Sequence, residues 1–367
     1  MTFFKFIMSK LKRQSEQSSL TLAQASSAVT ELEAPVSYPA LMVEGGVLPD
    51  GSRSVFYGWQ SKALTLRQYI LSKVVLDRSL MVFLKNGHPV AETSYLQPPD
   101  AVAALTVRPG DLSKEFLKEP VMAASFDHWD INFFHWVRHT VPTFFALREA
   151  QYKGGFILPY LQPWQAETLK MNGFENAPQA TTHHGHQYAF KQVIYTDYVR
   201  GLADFSVSPL SARAYRTLVA EAGGCKPDER DLFIFIERGS ASNRAMPNEA
   251  ELAEAMREAG FTVIRPETLS VAGQMRFFAR ARMVVGSLGA AMANVAWCHP
   301  GTVVYELVPA HHQNPCTLAL TTQMGLLYWG DLIETGVEGD NHTAASLRGF
   351  DVPAVIGRAK QLQQYVV

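Results

Sequence analysis

Cysteine is scarce in this chain: 367 residues hold only Cys225, Cys298 and Cys316, with no Cys-x-x-Cys pair and no histidine at zinc-finger spacing. That excludes a disulfide framework and a structural zinc site, and a reducing compartment is expected. Net charge is nearly absent as well. Lys plus Arg (33) against Asp plus Glu (34) leaves a formal charge of -1, so no global field draws in nucleic acid and any anion site must be local. No apolar run approaches the ~20 residues that cross a bilayer. There is no Walker loop, and no Gly-x-Gly-x-x-Gly followed by an acidic residue ~20 positions on, which argues against a nicotinamide-dependent oxidoreductase.

What is present is a packable chain. Hydrophobic residues make up 47% and include 21 Phe, 13 Tyr and 6 Trp, enough core volume for two domains. Residues 1–34 read as a lead-in. Phe3, Phe4, Ile7, Met8 and Leu11 alternate with Lys5, Lys10, Lys12 and Arg13 in a basic amphipathic pattern, so residues 1–13 are a candidate for peripheral membrane contact, and the following Ser/Gln/Ala/Thr tract is expected to be flexible. The apolar part is too short and broken by Lys5 for a secretory signal. A first α/β domain is expected over 35–205, a second over 206–345, and a helix over 346–367 returning to the first domain.

In the first domain Ser79–Leu84, Asn86-Gly87 and His88–Thr93 predict a hairpin. Val121–Asp127 predicts a strand handing over to a helix through Phe145 and Leu147, kinked at Pro142. Gly155–Pro159, Trp164–Asn172 and Phe190–Tyr198 continue the alternation. In the second, Asp231–Glu237, Gly260–Arg265, Ala281–Gly286 and Thr302–Val308 are short apolar runs separated by helical patterns. Such strands make a parallel sheet covered on both faces, and these sheets bind ligands beyond the carboxyl ends of their strands.

Polar residues gather at those ends. Arg238 and Arg244 follow the first strand on a Gly/Ser-rich loop, and the guanidinium fork matches phosphate oxygens at every relevant pH; paired solvated charges are the competing reading. Gly286-Ser-Leu-Gly-Ala-Ala-Met-Ala-Asn294 puts small residues where a strand becomes a helix, so Ser287, Gly289, Ala290 and Asn294 can bring backbone N–H groups to an anion, although glycine serves packing there too. Glu306 ends the fourth strand, where a carboxylate can accept ribose hydroxyls or serve a salt bridge. His135, between Phe134 and Trp136, can take a proton from a hydroxyl, or sit satisfied in a core. Asp127 and Asp130 can act as base or hold a divalent ion, and the His183, His184 and His186 cluster reads as an exposed loop.

Taken together these residues resemble glycosyltransferase family 61, which includes capsular polysaccharide biosynthesis proteins. The resemblance rests on Glu237-Arg238, Arg244 with Asn248-Glu249, Gly260-Phe261 with Pro266-Glu267, Gln274 with Ala281, Gly286–Asn294, Gly301 leading to Glu306-Leu307, and Asn132-Phe-Phe-His-Trp136 with Pro142. It spans roughly residues 125–335. It implies a GT-B-like fold, two facing Rossmann-like α/β domains, and an inverting, metal-independent transfer without a cofactor. The donor would be a nucleoside diphosphate sugar and the acceptor an oligosaccharide, polysaccharide or lipid-linked glycan, in the cytoplasm or at the inner face of the membrane. It implies His135 or Asp127 as the base, with Arg238, Arg244, Asn248, Gln274, Ser287, Gly289, Ala290, Asn294 and Glu306 on the donor. The family's turn usually reads Gly-x-His-Gly-Ala, and here Leu288 takes the histidine position. That substitution keeps a second reading open, a catalytically impaired relative that binds nucleotide sugar or glycan as a scaffold.

Overall fold

The computed structural model describes residues 19–199, 201, 205–239, 246–337 and 348–366. The amphipathic segment 1–13 and Arg244 lie outside them. The chain divides into two compact units, one of Met1–Ala34 with Thr65–Ala203 and one of Pro35–Leu64 with Asp204–Val367. Among the described residues no helix is long and apolar enough to cross a membrane.

The first unit is built on a mixed sheet of β1 (Ser26–Glu33), β2 (Leu66–Asp77), β3 (Val82–Lys85), β4 (His88–Pro89), β5 (Leu112–Ser113), β6 (Met122–Ala124), β7 (Gly155–Leu158), β8 (Gln179–Thr181) and β9 (Gln187–Thr196). β1 corrects the expectation of a flexible tract. It pairs antiparallel with β2, and its side chains are largely exposed, so backbone pairing is what chiefly holds it, with the Ser27 hydroxyl donating to the Ile70 carbonyl at 3.2 Å. The expected hairpin forms between β3 and β4, with Asn86 and Gly87 both at positive φ as a two-residue turn requires.

β9, β6, β7 and β8 lie side by side and parallel, in that order. The chain runs outward from β6 to β8 and then returns to β9 on the other side of β6. The carboxyl ends of β6 and β9 therefore flank a topological switch point, the place where open α/β sheets bind ligands. From β6 the chain enters a short helix, Phe133–His135, then a π-turn, Trp136–Thr140, then the helix Val141–Glu149. The expected kink at Pro142 takes this form. Pro142 has no N–H to return to Arg138, and the Val141 N–H bonds the Trp136 carbonyl five residues back.

The second unit holds a parallel sheet of β10 (Leu232–Ile236), β11 (Thr262–Ile264), β12 (Ala281–Ser287), β13 (Val303–Pro309) and β14 (Leu327–Ile333), in the spatial order β11-β10-β12-β13-β14. This is a doubly wound order whose switch point lies between β10 and β12. One face buries Phe235, Met283, Val285, Tyr305, Leu307 and Trp329 against Leu252 and Met256 of the helix Glu249–Glu258 and against Val352, Val355, Ala359 and Leu362. Each large apolar side chain so buried contributes about 1.5–3 kcal/mol. The last four belong to the helix Val352–Leu362, capped by Asp351. The expected return of this helix to the first domain is thus corrected, because its apolar stripe closes the core of the second unit instead. Residues 35–64 also pack here and not with the first unit: Val55 N–H donates to the Gly330 carbonyl and Tyr328 N–H to that of Leu41.

Candidate functional site

In the first unit the switch point is occupied by an acid–imidazole pair. Asp127 stands three residues past the end of β6, and its Oδ2 lies 3.0 Å from His135 Nδ1. Its other oxygen accepts the Trp129 N–H at 2.7 Å, so a tight turn fixes the carboxylate. Asn132 caps the helix that carries His135, accepting the N–H groups of Phe134 (2.9 Å) and His135 (3.4 Å). Asp127 is buried while the His135 side chain keeps 12% of its surface exposed. With Nδ1–H donating to the carboxylate, Nε2 carries the lone pair, the tautomer that accepts a proton from a hydroxyl.

Aromatic rings surround the pair. Trp129 meets the His135 ring edge-on at 4.6 Å and Tyr95 at 5.7 Å, and Tyr198, just past β9, lies 4.9 Å from Tyr95 and 4.7 Å from His139. His139 Nδ1 accepts the Val199 N–H at 3.3 Å, which assigns its proton to Nε2. Sequence reading missed Tyr95, Tyr198 and His139. Tyr198 carried a usable signal, its place just beyond the strand that returns beside β6; Tyr95 carried none. Asp130 does not join Asp127 as one carboxylate pair. It forms a buried ion pair with Arg78, and Phe126 lies under the guanidinium, so the metal reading of the two aspartates is set aside. His183, His184 and His186 are exposed, as the sequence reading had them.

In the second unit Arg238 and the turn after β12 meet at the other switch point. Arg238 Nη1 donates to the Leu288 carbonyl at 2.8 Å. A Cβ on Gly289 would stand 2.6 Å from that nitrogen, so a side chain there would push the guanidinium from its place. Glu249 braces the loop from below. Its two carboxylate oxygens accept the N–H groups of Arg238 (3.0 Å) and Gly239 (3.1 Å), and burial raises its pKa against those bonds. Sequence reading noted Glu249 without giving it a role.

The other donor candidates fare differently. Ser287 ends β12, and Ala290 begins a 3-10 segment, Ala290–Trp297, in place of the expected α-helix; Leu288 N–H is already bonded to the Leu307 carbonyl. The Asn294 side chain is turned inward, donating to the Ala291 carbonyl (3.0 Å) and accepting Trp297 Nε1–H (3.0 Å). Asn248 clasps the backbone of Phe350, accepting its N–H at 2.7 Å and donating to its carbonyl at 3.0 Å. Gln274 is buried and donates to the Leu269 carbonyl at 3.2 Å. These three amides secure the fold around the switch point. Leu288 itself is 4% exposed, so its side chain is core and its backbone faces Arg238.

Glu306 departs furthest from expectation. Strand alternation turns it away from Tyr305 and Leu307, and it is wholly buried, with Tyr328 Oη–H donating to Oε2 at 2.7 Å. Ribose hydroxyls do not reach such a position. Burial pushes its pKa from 4.5 up to about 7, against the pull of Thr317 and Tyr328. A raised folded pKa means the folded chain holds the proton more tightly, so this contribution to stability is full below pH 4.5 and is lost as pH rises to about 7. The span corresponds to about 3 kcal/mol at most. Glu306→Gln is expected to remove that decline from denaturant melts taken between pH 4.5 and 7.5; an unchanged slope would reject the assignment.

The class these units define is an α/β protein with a polar site at each sheet's switch point. Residues 133–305, from the helix of His135 into β13, match the family model Glycosyltransferase 61. The family implies glycosyltransferase activity. No curated protein matches the chain.

Proposed function

We propose that the protein is an inverting transferase that moves a sugar from a nucleoside diphosphate sugar to a hydroxyl of a cell-surface or exported polysaccharide, with a GT-B division of labour. The unit bearing Arg238 takes the donor and the unit bearing His135 takes the acceptor. The observation that carries this reading is the His135–Asp127 contact at the end of β6. His135 Nε2 takes the acceptor's proton as that oxygen bonds the anomeric carbon, and the bond from that carbon to the diphosphate oxygen breaks. Asp127 holds the imidazole in the accepting tautomer and offsets the charge it gains. Arg238, Arg244 and the backbone N–H groups of Gly289 and Ala290 meet the negative charge gathering on the diphosphate. Transfer then needs no divalent ion. Leu288 is compatible with activity because its carbonyl, not its side chain, contacts Arg238.

The test is a panel of nucleotide sugars offered with oligosaccharide and lipid-linked acceptors, in chelator and in divalent salt. Release of nucleoside diphosphate that depends on acceptor and survives chelation is expected. Binding of nucleotide sugar without turnover would favour the scaffold reading instead, and activity restored only by a divalent ion would reject the metal-independent step.

A further inference from the structure

The turn that follows β6 inverts the usual order of burial. Asp127 and Asp130 are buried in it, while Trp129 between them is 41% exposed and Ile131 is 75% exposed. Aspartate is rarely buried and tryptophan is on average well buried, so both halves of the pattern call for a reason. Each aspartate has a task in the chain. Asp127 accepts the Trp129 N–H at 2.7 Å, and Asp130 pairs with Arg78 while its carbonyl accepts Gln165 Nε2–H at 2.7 Å. Two anchors, one on either side, therefore fix the backbone at Trp129 and leave its indole at the surface.

The indole is held in orientation too. The rings of His128 (4.4 Å), His135 (4.6 Å) and Tyr95 (5.9 Å) contact it, and none of them lies parallel to it. An aromatic ring so fixed binds without a further loss of side-chain entropy. What it binds follows from its neighbour. His135 takes a proton from a hydroxyl, whose oxygen must come within about 3 Å of the imidazole. The indole centre lies only 4.6 Å from that of the imidazole, so a ligand meeting both carries a hydroxyl and an apolar face on one ring. A pyranose does, since its axial C–H groups form a flat apolar patch and its hydroxyls project around the rim. A nucleoside does not, because its hydroxyls are on the ribose and not on the flat base. A cation is disfavoured by the positive charge that the imidazole gains.

We propose that Trp129 is the platform on which a pyranose of the acceptor stacks, presenting one of its hydroxyls to His135. Trp129 lies outside the residues that match the family model. The choice of a sugar rests on the reading of His135 as the base of a glycosyl transfer; the anchored, exposed indole does not.

Saturation-transfer NMR on the full chain with methyl pyranosides and disaccharides tests it, with choline and a nucleoside diphosphate as further probes, alongside turnover of the nucleotide-sugar panel. At least one saccharide should bind the wild type, and Trp129→Ala should weaken it at least about tenfold, the scale of a truncated tryptophan anchor. Trp129→Phe, which keeps a flat ring, should recover part of that loss. In turnover the acceptor KM should rise while the donor KM stays as in wild type. If Trp129→Ala melts lower than wild type, Trp129→Met, with apolar bulk but no ring, should show the same selective loss. Equal saccharide affinity in wild type and in a stably folded variant, Trp129-dependent binding of choline or of the nucleoside diphosphate alone, or no saccharide binding would each overturn the proposal. Turnover whose acceptor KM ignores Trp129 would sink the platform and leave the transferase reading. Saccharide binding that needs Trp129, in a protein that never releases nucleoside diphosphate, would uphold the platform and sink the transferase reading.

Discussion

Replacing His135 by alanine is expected to lower kcat for sugar transfer about 10²- to 10⁴-fold, the usual contribution of a positioned general base. KM for the donor should hardly move, since the lost interaction forms as the proton leaves the acceptor. Asp127→Asn is expected to come close to that loss. The asparagine amide can offer its own N–H to Nδ1, which reverses the 3.0 Å contact and puts the proton on Nε2, where it blocks acceptance. Fold should survive both changes, because the His135 ring keeps 12% of its surface exposed and Asp127→Asn keeps the shape of the buried side chain and an oxygen for the Trp129 N–H. Full activity in a folded His135→Ala protein would reject the base assignment. Loss in His135→Ala with Asp127→Asn at wild-type rate would leave the imidazole its role and remove the carboxylate's.

The second large effect lies in the other unit. A nucleoside diphosphate present at 100 times its Kd adds about 2.7 kcal/mol of stability. For a unit of this size that raises Tm by roughly 5–10 °C. Arg238→Ala is expected to abolish most of that shift, and Arg238→Lys to restore little of it, since an ammonium lacks the fork that spans two phosphate oxygens. Gly289→Ala should give a partial loss, because the new methyl displaces Nη1 from its place beside the Leu288 carbonyl. Arg244→Ala is expected to follow Arg238→Ala on the family resemblance. A full shift retained in Arg238→Ala would remove this arginine from the donor site.

Residues with a chemistry of their own, set just past a strand, were the ones legible in the sequence. Arg238 after β10 and Asp127 after β6 stand at strand ends, and such positions follow from apolar run lengths alone. Asn248 and Glu306 had equally suggestive chemistry, yet their partners are Phe350 and Tyr328, which no local pattern ties to them; Asn294 bonds Trp297, only three residues on. Whether a polar side chain faces a ligand or closes a core depends on which way it points, and one step along a strand reverses that. Glu306 shows this against its neighbours Tyr305 and Leu307.

The sequence by itself determined the alternation of strands and helices, the strand ends where Arg238 and Asp127 stand, and the match to the Glycosyltransferase 61 model over residues 133–305. Those features are local, set by apolar periodicity, turn residues and capping. Tertiary structure alone decided that β1 joins a sheet, that residues 35–64 and the helix Val352–Leu362 complete the second unit, and that Tyr95 stands beside His135 with Tyr198 against it. These outcomes depend on contacts between residues tens to hundreds of positions apart. Such contacts are chosen by which surfaces must be buried together, and no window of sequence contains both partners.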